Sequence, residues 1–244
     1  MRRFFIPTPA SLATPLTLDQ EQSRHINRVL RLARGEKIIL FDGQGNEFNA
    51  TLLEVGKKVT VEISQHHRVE AVPPIIHLHQ ALLKGKKIEF IIQKMTELGI
   101  DYFHPFVSSH TAAKPPKAAR LERWQKISLE SCKQCGRARM MRVNPPTPLS
   151  EAVTRVDPAQ ALLFWEEEDE RTIGELSDLE QRDELHIFIG PEGGFAREEV
   201  KLFQQRGIPT LSMGPFIMKA DTAALCAVTL VLHQAGRLQP RGAE

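Results

Sequence analysis

The sequence predicts an α/β protein in which a small antiparallel β-barrel precedes an open parallel sheet with helices on both faces. In the first seventy residues, apolar and polar side chains alternate with the period of two that half-buried strands require. From residue 75 onward, short apolar runs alternate with segments of helical periodicity, which is typical of a parallel sheet. Pro73-Pro74 stands between the two patterns and ends a predicted linker at residues 66–74. We therefore predict two domains, residues 1–72 and residues 73–244.

The first domain is expected to contain three strands and one helix. Ile38–Phe41 is predicted as a strand, and the turn-forming residues 42–46 follow it. Two further strands are predicted from alternating side chains, whose buried members are Phe48, Ala50, Leu52, Val59, Val61 and Ile63. A helix is predicted from an apolar stripe with arginines beside it, and the stripe consists of His25, Ile26, Val29 and Leu30.

The second domain is expected to alternate strands and helices along the chain. Strands are predicted at Ile75–Leu82, Tyr102–Val107, Ala161–Trp165, Ile187–Ile189 and Thr210–Met213. Helices are predicted from Ile88 to a cap at Gly99, and at Arg120–Gln134, Ala196–Arg206 and Thr222–Ala235. The last helix is apolar on all sides over residues 223–228, so the sheet covers one side and either loops of the same chain or a symmetry-related copy must cover the rest.

Composition excludes several classes of protein. Apolar residues make up 41% and charged residues 25%, which is ordinary for a globular chain and excludes disordered and collagen-like scaffolds. The longest apolar run, Ala223–Leu232, is too short to cross a bilayer, so we expect no membrane association. Three cysteines favour a reducing compartment over a disulfide framework, and we expect the cytoplasm.

No metal site is predicted from the sequence. Cys132-x-x-Cys135 stands alone, without the second cysteine or histidine pair that a zinc site needs. His66-His67 and His77-x-His79 are similarly weak signals. The acidic run Glu166–Glu170 is predicted to be a solvated loop.

Charge is distributed unevenly along the chain. Residues 73–145 carry 13 Lys and Arg against 5 Asp and Glu, whereas residues 146–244 carry 9 against 17. Clustered basic residues gain free energy on a polyanion by releasing its counterions, so the basic block favours a nucleic-acid partner. The alternative is that these side chains face solvent or the acidic third of the same chain.

Two segments have the pattern of ligand-binding loops. Ile189-Gly190-Pro191-Glu192-Gly193-Gly194 follows a predicted strand and precedes a predicted helix, the position at which open α/β sheets bind ligands. Its glycines permit close backbone approach, although the spacing matches neither a dinucleotide fingerprint nor a phosphate-binding loop, and a plain connection is the alternative. Met213–Thr222 also joins a strand to a helix, which Asp221 or Thr222 can cap. Together the two loops predict a pocket suited to an adenine and a methionine-like group.

Motifs along nearly the whole chain resemble one family. They are Met1–Phe5, His25–Arg31, Phe41–Gly43, Lys84–Lys87, Ile92–Gly99, Arg123–Ile127, Gln134–Arg137 and Ile189–Gly194. In these segments the sequence resembles the bacterial 16S ribosomal RNA (uracil-N3)-methyltransferases, which belong to the knotted, or SPOUT, class. The resemblance implies a PUA-like barrel that binds RNA and a C-terminal domain with a trefoil knot. It further implies S-adenosylmethionine as cofactor, a homodimer, and methylation of N3 of a uridine in the decoding region of the small ribosomal subunit.

The resemblance also assigns candidate site residues. The cofactor is expected to lie against Leu163, Gly190, Pro191, Glu192, Gly193, Gly194, Met213, Gly214, Ile217, Met218, Thr222 and Ala223. The ribosomal RNA is expected to contact Arg2, Arg3, His25, Arg28, Arg31, Lys84, Lys86, Lys87, Lys94, Arg123 and Arg137. Lys219 is a candidate for stabilising a uracil anion, and Asp221 is a candidate general base whose alternative role is the helix cap.

The sequence departs from the family pattern near the predicted pocket. Phe216 and Lys219 stand where the family has arginines, Asp221 replaces a glutamate, and His110 replaces an arginine. An arginine can hold a phosphate or a uracil with two hydrogen bonds, so these changes concern substrate orientation more than cofactor binding. Two alternatives therefore stay open: another knotted RNA methyltransferase, such as a ribose 2′-O-methyltransferase, and a non-enzymatic RNA-binding assembly factor.

Overall fold

The computed structural model describes residues 1–7 and 15–239. The chain forms two compact units: Met1–Ala71 with Leu129–Met140, and Val72–Ser128 with Met141–Glu244. The first unit is built on a mostly antiparallel sheet and the second on a parallel one, so the predicted fold class is confirmed.

The first unit contains five strands and a short helix. The strands are β1 (Arg2–Phe5), β2 (Leu16–Thr17), β3 (Lys37–Phe41), β4 (Asn46–Val55) and β5 (Val59–Arg68), in the sheet order β1-β3-β4-β5-β2. The antiparallel ladder of β3, β4 and β5 buries the predicted alternating side chains. Two details differ from the prediction: β1 pairs with β3 in parallel, and β5 continues to Arg68, which pairs with Asn46. The first part of the predicted linker is therefore strand.

The predicted helix of the first unit has a different form. It is divided into α1 (Gln20–Arg24) and a π-helical segment, His25–Leu30. Ile26 is fully buried, but Val29 is 65% exposed, so the predicted apolar stripe does not form one buried face. The wider π-helical turn changes which side chains share a face, and a period of 3.6 residues therefore gave the wrong side for Val29.

The second unit is built on a seven-stranded parallel sheet. Its strands are β6 (Ile75–Ala81), β7 (Tyr102–Val107), β8 (Arg142–Val143), β9 (Thr147–Pro148), β10 (Ala161–Phe164), β11 (Glu184–Ile189) and β12 (Thr210–Leu211). The order is β12-β10-β11-β6-β7-β8, and β9 also pairs with β7. The two-residue strands β8 and β9 were not predicted, because so short a segment carries no periodicity.

Helices cover both faces of this sheet, as predicted. They are α2 (Lys87–Leu98), α3 (Ala118–Cys135), α4 (Leu149–Thr154), α5 (Arg197–Gln205) and α6 (Ala220–Gln234). On one face α2 and α6 pack against Ile76 and Leu78 of β6, and on the other α4 and α5 pack with Phe106 and Phe188. In residues 1–7 and 15–239, no helix has both the length and the apolar character needed to span a membrane.

Candidate functional site

A cavity of about 690 Å³ lies at the carboxyl ends of three neighbouring strands of the second unit. β10 pairs with both β11 and β12, so the segments that leave these strands meet at one edge of the sheet. The segment after β11 contributes Ile189–Gly194, and the segment after β12 contributes Ser212–Ala220 except Pro215. This volume and position are those of a small-molecule site in an open α/β sheet.

Most of the predicted cofactor residues line this cavity. They are Gly190, Pro191, Glu192, Gly193, Gly194, Met213, Gly214, Ile217, Met218 and Ala223. Leu163 and Thr222 are not among the lining residues. The side chain of Leu163 is fully buried in the core on the α4–α5 face, and Thr222 points to solvent from α6. We therefore leave these two residues out of the candidate site.

Two glycines of the segment after β11 stand where a larger residue would clash with neighbouring side chains. Gly194 has a φ of +70°, and a Cβ atom there would lie 1.6 Å from Oε1 of Glu166. Any side chain at this position would have to displace that carboxylate and adopt the left-handed conformation. At Gly190, a Cβ atom would lie 3.0 Å from the ring of Phe195. The backbone can thus approach its neighbours, and a ligand, more closely than other residues allow.

Neighbouring segments hold this glycine-rich segment in place. The buried amide of Gln80, on β6, donates from Nε2 to the carbonyl oxygen of Gly190 over 3.1 Å. Nδ1 of His110 lies 3.0 Å from the carbonyl oxygen of Gly193. His110, the residue that departs from the family pattern, therefore contacts the cavity wall directly.

Glu192 ties the same segment to a basic part of the chain. Its Oε1 accepts hydrogen bonds from Nζ of Lys87, at 3.0 Å, and from the backbone N–H of Lys84, at 3.2 Å. Partial burial favours the neutral acid, but these hydrogen bonds outweigh it and lower the pKa of Glu192. A predicted cofactor residue and a predicted RNA residue are thus brought together as an ion pair.

Lys219 and Asp221 both line the cavity at the start of α6. Lys219 is the N-cap residue of that helix and makes no side-chain capping bond. Asp221 lies inside the first turn, so the predicted capping role of Asp221 or Thr222 is wrong. Oδ1 of Asp221 is buried and has no hydrogen-bond partner among the described residues. A buried acceptor without a partner is costly, and one that faces a cavity is available to a ligand.

Sequence reasoning missed several lining residues. They are Lys87, Phe164, Trp165, Glu166, Ile189, Ser212, Phe216 and Ala220, of which Lys87 was predicted only for RNA. The acidic run was predicted as a solvated loop, yet Glu166 reaches Gly194 and Glu168 accepts a hydrogen bond from the hydroxyl of Thr210. Their position in the fold could have indicated some of them: Phe164 ends β10, and β10 lies beside the strand that precedes the glycine-rich segment.

The predicted RNA-binding residues of the first unit differ in accessibility. Arg2, His25, Arg28 and Arg31 are exposed. Arg3 is partly buried: its guanidinium pairs with Glu47, donates to the carbonyl oxygen of Arg137 and lies 5.0 Å from the centre of the Phe41 ring. The guanidinium of Arg3 and the backbone carbonyl of Arg137 therefore take part in the internal structure of the first unit.

The predicted RNA-binding residues of the second unit include both exposed cations and cations in ion pairs. Lys84 and Lys86 are exposed. Lys94 pairs with Glu97 at 2.9 Å, and Arg123 pairs with Glu89 at 2.8 Å. The Arg123 side chain is 60% exposed, whereas the Lys94–Glu97 pair is partly buried, so Arg123 is the more accessible of these two cations.

Comparison with known proteins gives consistent matches over the whole chain. The model of the RNA methyltransferase domain family matches residues 71–232, and that of the RNA methyltransferase PUA domain matches residues 18–64. Ribosomal RNA small subunit methyltransferase E of Bacillus subtilis is 31% identical, with 96% of this chain and 97% of that protein covered.

Two solved structures are similar over their full length. A methyltransferase of Legionella pneumophila, solved with bound cofactor SAM, is 31% identical with a TM-score of 0.84, covering 95% of this chain and 96% of that one. The ribosomal RNA small subunit methyltransferase E of Neisseria gonorrhoeae, bound to S-adenosyl methionine, is 29% identical with a TM-score of 0.85, covering 96% and 97%. The protein therefore belongs to the RNA methyltransferase family of ribosomal RNA small subunit methyltransferase E.

Proposed function

We propose that this protein transfers a methyl group from S-adenosylmethionine to N3 of a uridine in the decoding region of 16S ribosomal RNA. The observation that carries the proposal is the similarity to ribosomal RNA small subunit methyltransferase E over nearly the full length of both chains. The position and volume of the cavity at the carboxyl ends of β10, β11 and β12 support it as the place of the reaction.

The residues of the cavity fit the proposed cofactor. Apolar walls from Ile189, Met213 and Met218 suit an adenine ring and a methionine chain, and the glycines expose backbone donors and acceptors between them. The relatives from Legionella and Neisseria were solved with this cofactor. We assign its binding to the predicted residues that line the cavity, with Phe164 and Trp165 added and Leu163 and Thr222 omitted.

The chemistry requires a positioned base edge and a way to remove one proton. S-adenosylmethionine would supply an electrophilic methyl group and leave as S-adenosylhomocysteine, and the uridine must leave its stack for N3 to reach that methyl group. The carboxylate of Asp221, with its buried acceptor atom, accepts the N3 proton. The ammonium of Lys219, on the same cavity, stabilises the negative charge that develops on the uracil ring.

Exposed cations in each unit are proposed to contact the RNA backbone. In the first unit these are Arg2, Arg28 and Arg31, and in the second Lys84 and Lys86. Phosphate contacts of this kind position the substrate without reading its sequence. Arg3 is proposed to support the first unit instead, because its guanidinium is already engaged with Glu47 and with the backbone of Arg137.

We also propose that the protein acts as a homodimer. One side of α6, including Ala224 and Ala227, is buried in its own unit, so a partner would be needed only on the remaining side. At the cavity rim, however, Phe216 and Ile217 are 82% and 85% exposed. Adjacent large apolar side chains that face water are typical of an interaction surface. A second copy that covers them would also close the cavity.

The direct test is to identify the methylated nucleoside. Purified protein is incubated with isotope-labelled S-adenosylmethionine and either unmodified 16S ribosomal RNA or small subunits, and the RNA is digested and analysed by mass spectrometry. We expect labelled 3-methyluridine from a single position. Labelled 2′-O-methyluridine would assign the protein to the ribose methyltransferases, and RNA binding without label transfer would favour an assembly factor.

A further inference from the structure

Four histidines lie together at the amino end of the parallel sheet, on the opposite edge from the cavity. They are His77 and His79 of β6, His104 of β7 and His186 of β11. The strand register places His77 beside His186 and His79 beside His104. Alternate residues of a strand share a face, so all four imidazoles project from the same side of the sheet.

Three side chains of this group have the geometry of a metal-binding triad. Nε2 of His186 lies 3.1 Å from Oε2 of Glu184, and Nε2 of His77 lies 3.7 Å from the same oxygen. One ligand atom from each of the three lies within 4.8 Å of the others. A tetrahedral ion with bonds of about 2.0–2.2 Å holds its ligand atoms about 3.3–3.6 Å apart, which is close to these separations.

One of these ligand atoms lacks any other partner. Nε2 of His77 is buried and makes no hydrogen bond among the described residues, since 3.7 Å to Glu184 is too long for one. Leaving a buried polar atom without a partner costs about 1–3 kcal/mol. Coordination of an ion would remove that penalty.

The remaining ring nitrogens of the two ligand histidines are held by a second layer of histidines. Nδ1 of His77 lies 3.0 Å from Nε2 of His104, and Nδ1 of His186 lies 2.9 Å from Nε2 of His79. A metal-binding histidine nearly always has a hydrogen-bond partner at its second ring nitrogen, usually a carboxylate, a backbone carbonyl or water, and this bond fixes the tautomer and the ring orientation. Here His104 and His79 take the place of that partner and orient the two ligand rings.

The site is open to solvent on one side. The Glu184 side chain is 51% exposed, so an ion can enter from solvent at this corner. Its carboxylate also brings one negative charge to the group.

We propose that His77, Glu184 and His186 bind a divalent first-row transition metal ion of the zinc class. Imidazole nitrogens suit zinc, iron, nickel and copper, and a two-histidine, one-carboxylate set leaves further positions for water. The ion would join the amino ends of β6 and β11, away from the methyl-transfer cavity. This proposal replaces the sequence-based expectation that the chain binds no metal: His77-x-His79 alone was a weak signal, and the other ligands lie more than 100 residues away.

The test uses the full chain, freed of metal with a chelator and titrated with ZnCl₂ in a calorimeter. We expect one Zn²⁺ ion per chain and a higher melting temperature. At 100 times the dissociation constant, the ion should shift the unfolding equilibrium about 100-fold toward the folded state. Replacement by Co²⁺ should give the visible absorption of a nitrogen- and oxygen-ligated ion.

Two variants and two matched controls locate the site. Glu184→Gln removes the charged ligand from an exposed position, so it should fold normally, and His186→Ala removes a nitrogen ligand. Each should weaken Zn²⁺ binding at least tenfold, whereas the exposed controls Glu180→Gln and His233→Asn should not. S-adenosylmethionine affinity serves as the check on folding, because the cavity lies at the opposite edge. The proposal would be overturned if no Zn²⁺ binding were detected at Zn²⁺ concentrations up to 100 times the protein concentration. It would also be overturned if Glu184→Gln left the Zn²⁺ affinity unchanged.

Discussion

The two ends of the parallel sheet differ in how side chains occupy them: one end has a cavity and the other is filled by imidazoles. At the carboxyl end, glycine-rich segments leave a cavity walled by backbone and apolar side chains, with Lys219 and Asp221 among its charged groups. At the amino end, four imidazoles fill the space and contact one another, with ring centres as close as 4.2 Å for His77 and His186. One sheet thus carries an open cavity shaped by missing side chains at one end and a packed histidine cluster at the other, and β11 contributes to both.

The largest effect is expected from a substitution in the glycine-rich segment at the carboxyl end of the sheet. Gly194→Val should lower S-adenosylmethionine affinity at least tenfold and abolish methyl transfer, because valine must displace Glu166 and adopt a left-handed φ. Gly99→Val is the matched control, since Gly99 has a φ of +95° with no atom within 4 Å of its Cβ position. Calorimetry of cofactor binding to both variants measures the difference. Equal affinities would remove the glycine-rich segment from the cofactor site, and unchanged zinc binding would confirm that the two ends are independent.

A second prediction concerns the charged groups of the cavity. Asp221→Asn should reduce kcat about 100-fold while leaving cofactor affinity within a few-fold, because it removes a proton acceptor and keeps the shape. Lys219→Gln should act in the same direction through the lost stabilisation of the uracil anion. Single-turnover methylation assays give the rates. A kcat within twofold of the wild type for Asp221→Asn would exclude it as the base.

The third prediction concerns acid stability and the amino end. In the folded protein, burial lowers the pKa of His77 to about 3 and that of His104 to about 4, whereas the unfolded chain titrates near 6.5. Between these values the unfolded state binds more protons, so stability is full above pH 6.5 and falls as the pH drops toward 3. The slope is at most about 1.4 kcal/mol per pH unit for each histidine.

Denaturant unfolding with chelator present, measured between pH 7 and pH 4, tests this prediction. His104→Asn should flatten the slope, whereas His233→Asn, on the exposed side of α6, should leave it unchanged. If stability depends on pH with the same slope in the wild type, His104→Asn and His233→Asn, then folding does not lower the pKa of His104.

The smallest effect is expected from substitutions in the first unit, outside both ends of the parallel sheet. Charge reversal at Arg28 and Arg31, both exposed in the first unit, should weaken RNA binding and reduce its dependence on salt concentration. Cofactor affinity and zinc binding should not change. Filter binding at several salt concentrations gives the slope, and reversal at Arg24, exposed on α1, provides a control with half the change in charge. An unaltered slope in the double variant would remove the first unit from the RNA-binding surface.

The sequence predicted the carboxyl end far better than the amino end, for a physical reason. Glycines between a strand and a helix mark a loop locally, so Gly190–Gly194 could be recognised within one short segment. The histidines are brought together only by strand register, which pairs His77 with His186 over 109 residues. Periodicity predicts strands and faces but not the neighbour across a parallel ladder. The π-helical turn that leaves Val29 exposed departs from the period of 3.6 residues on which the helix prediction rested.

The central claim is most directly tested in cells. Total 16S ribosomal RNA is isolated from the wild type, a deletion strain, and deletion strains that express either the wild-type protein or Gly194→Val, and 3-methyluridine is measured by mass spectrometry. We predict one 3-methyluridine in the decoding region of the wild type, its loss on deletion, and restoration by the wild-type protein but not by the variant. Retention of 3-methyluridine at that position in the deletion strain would contradict the account.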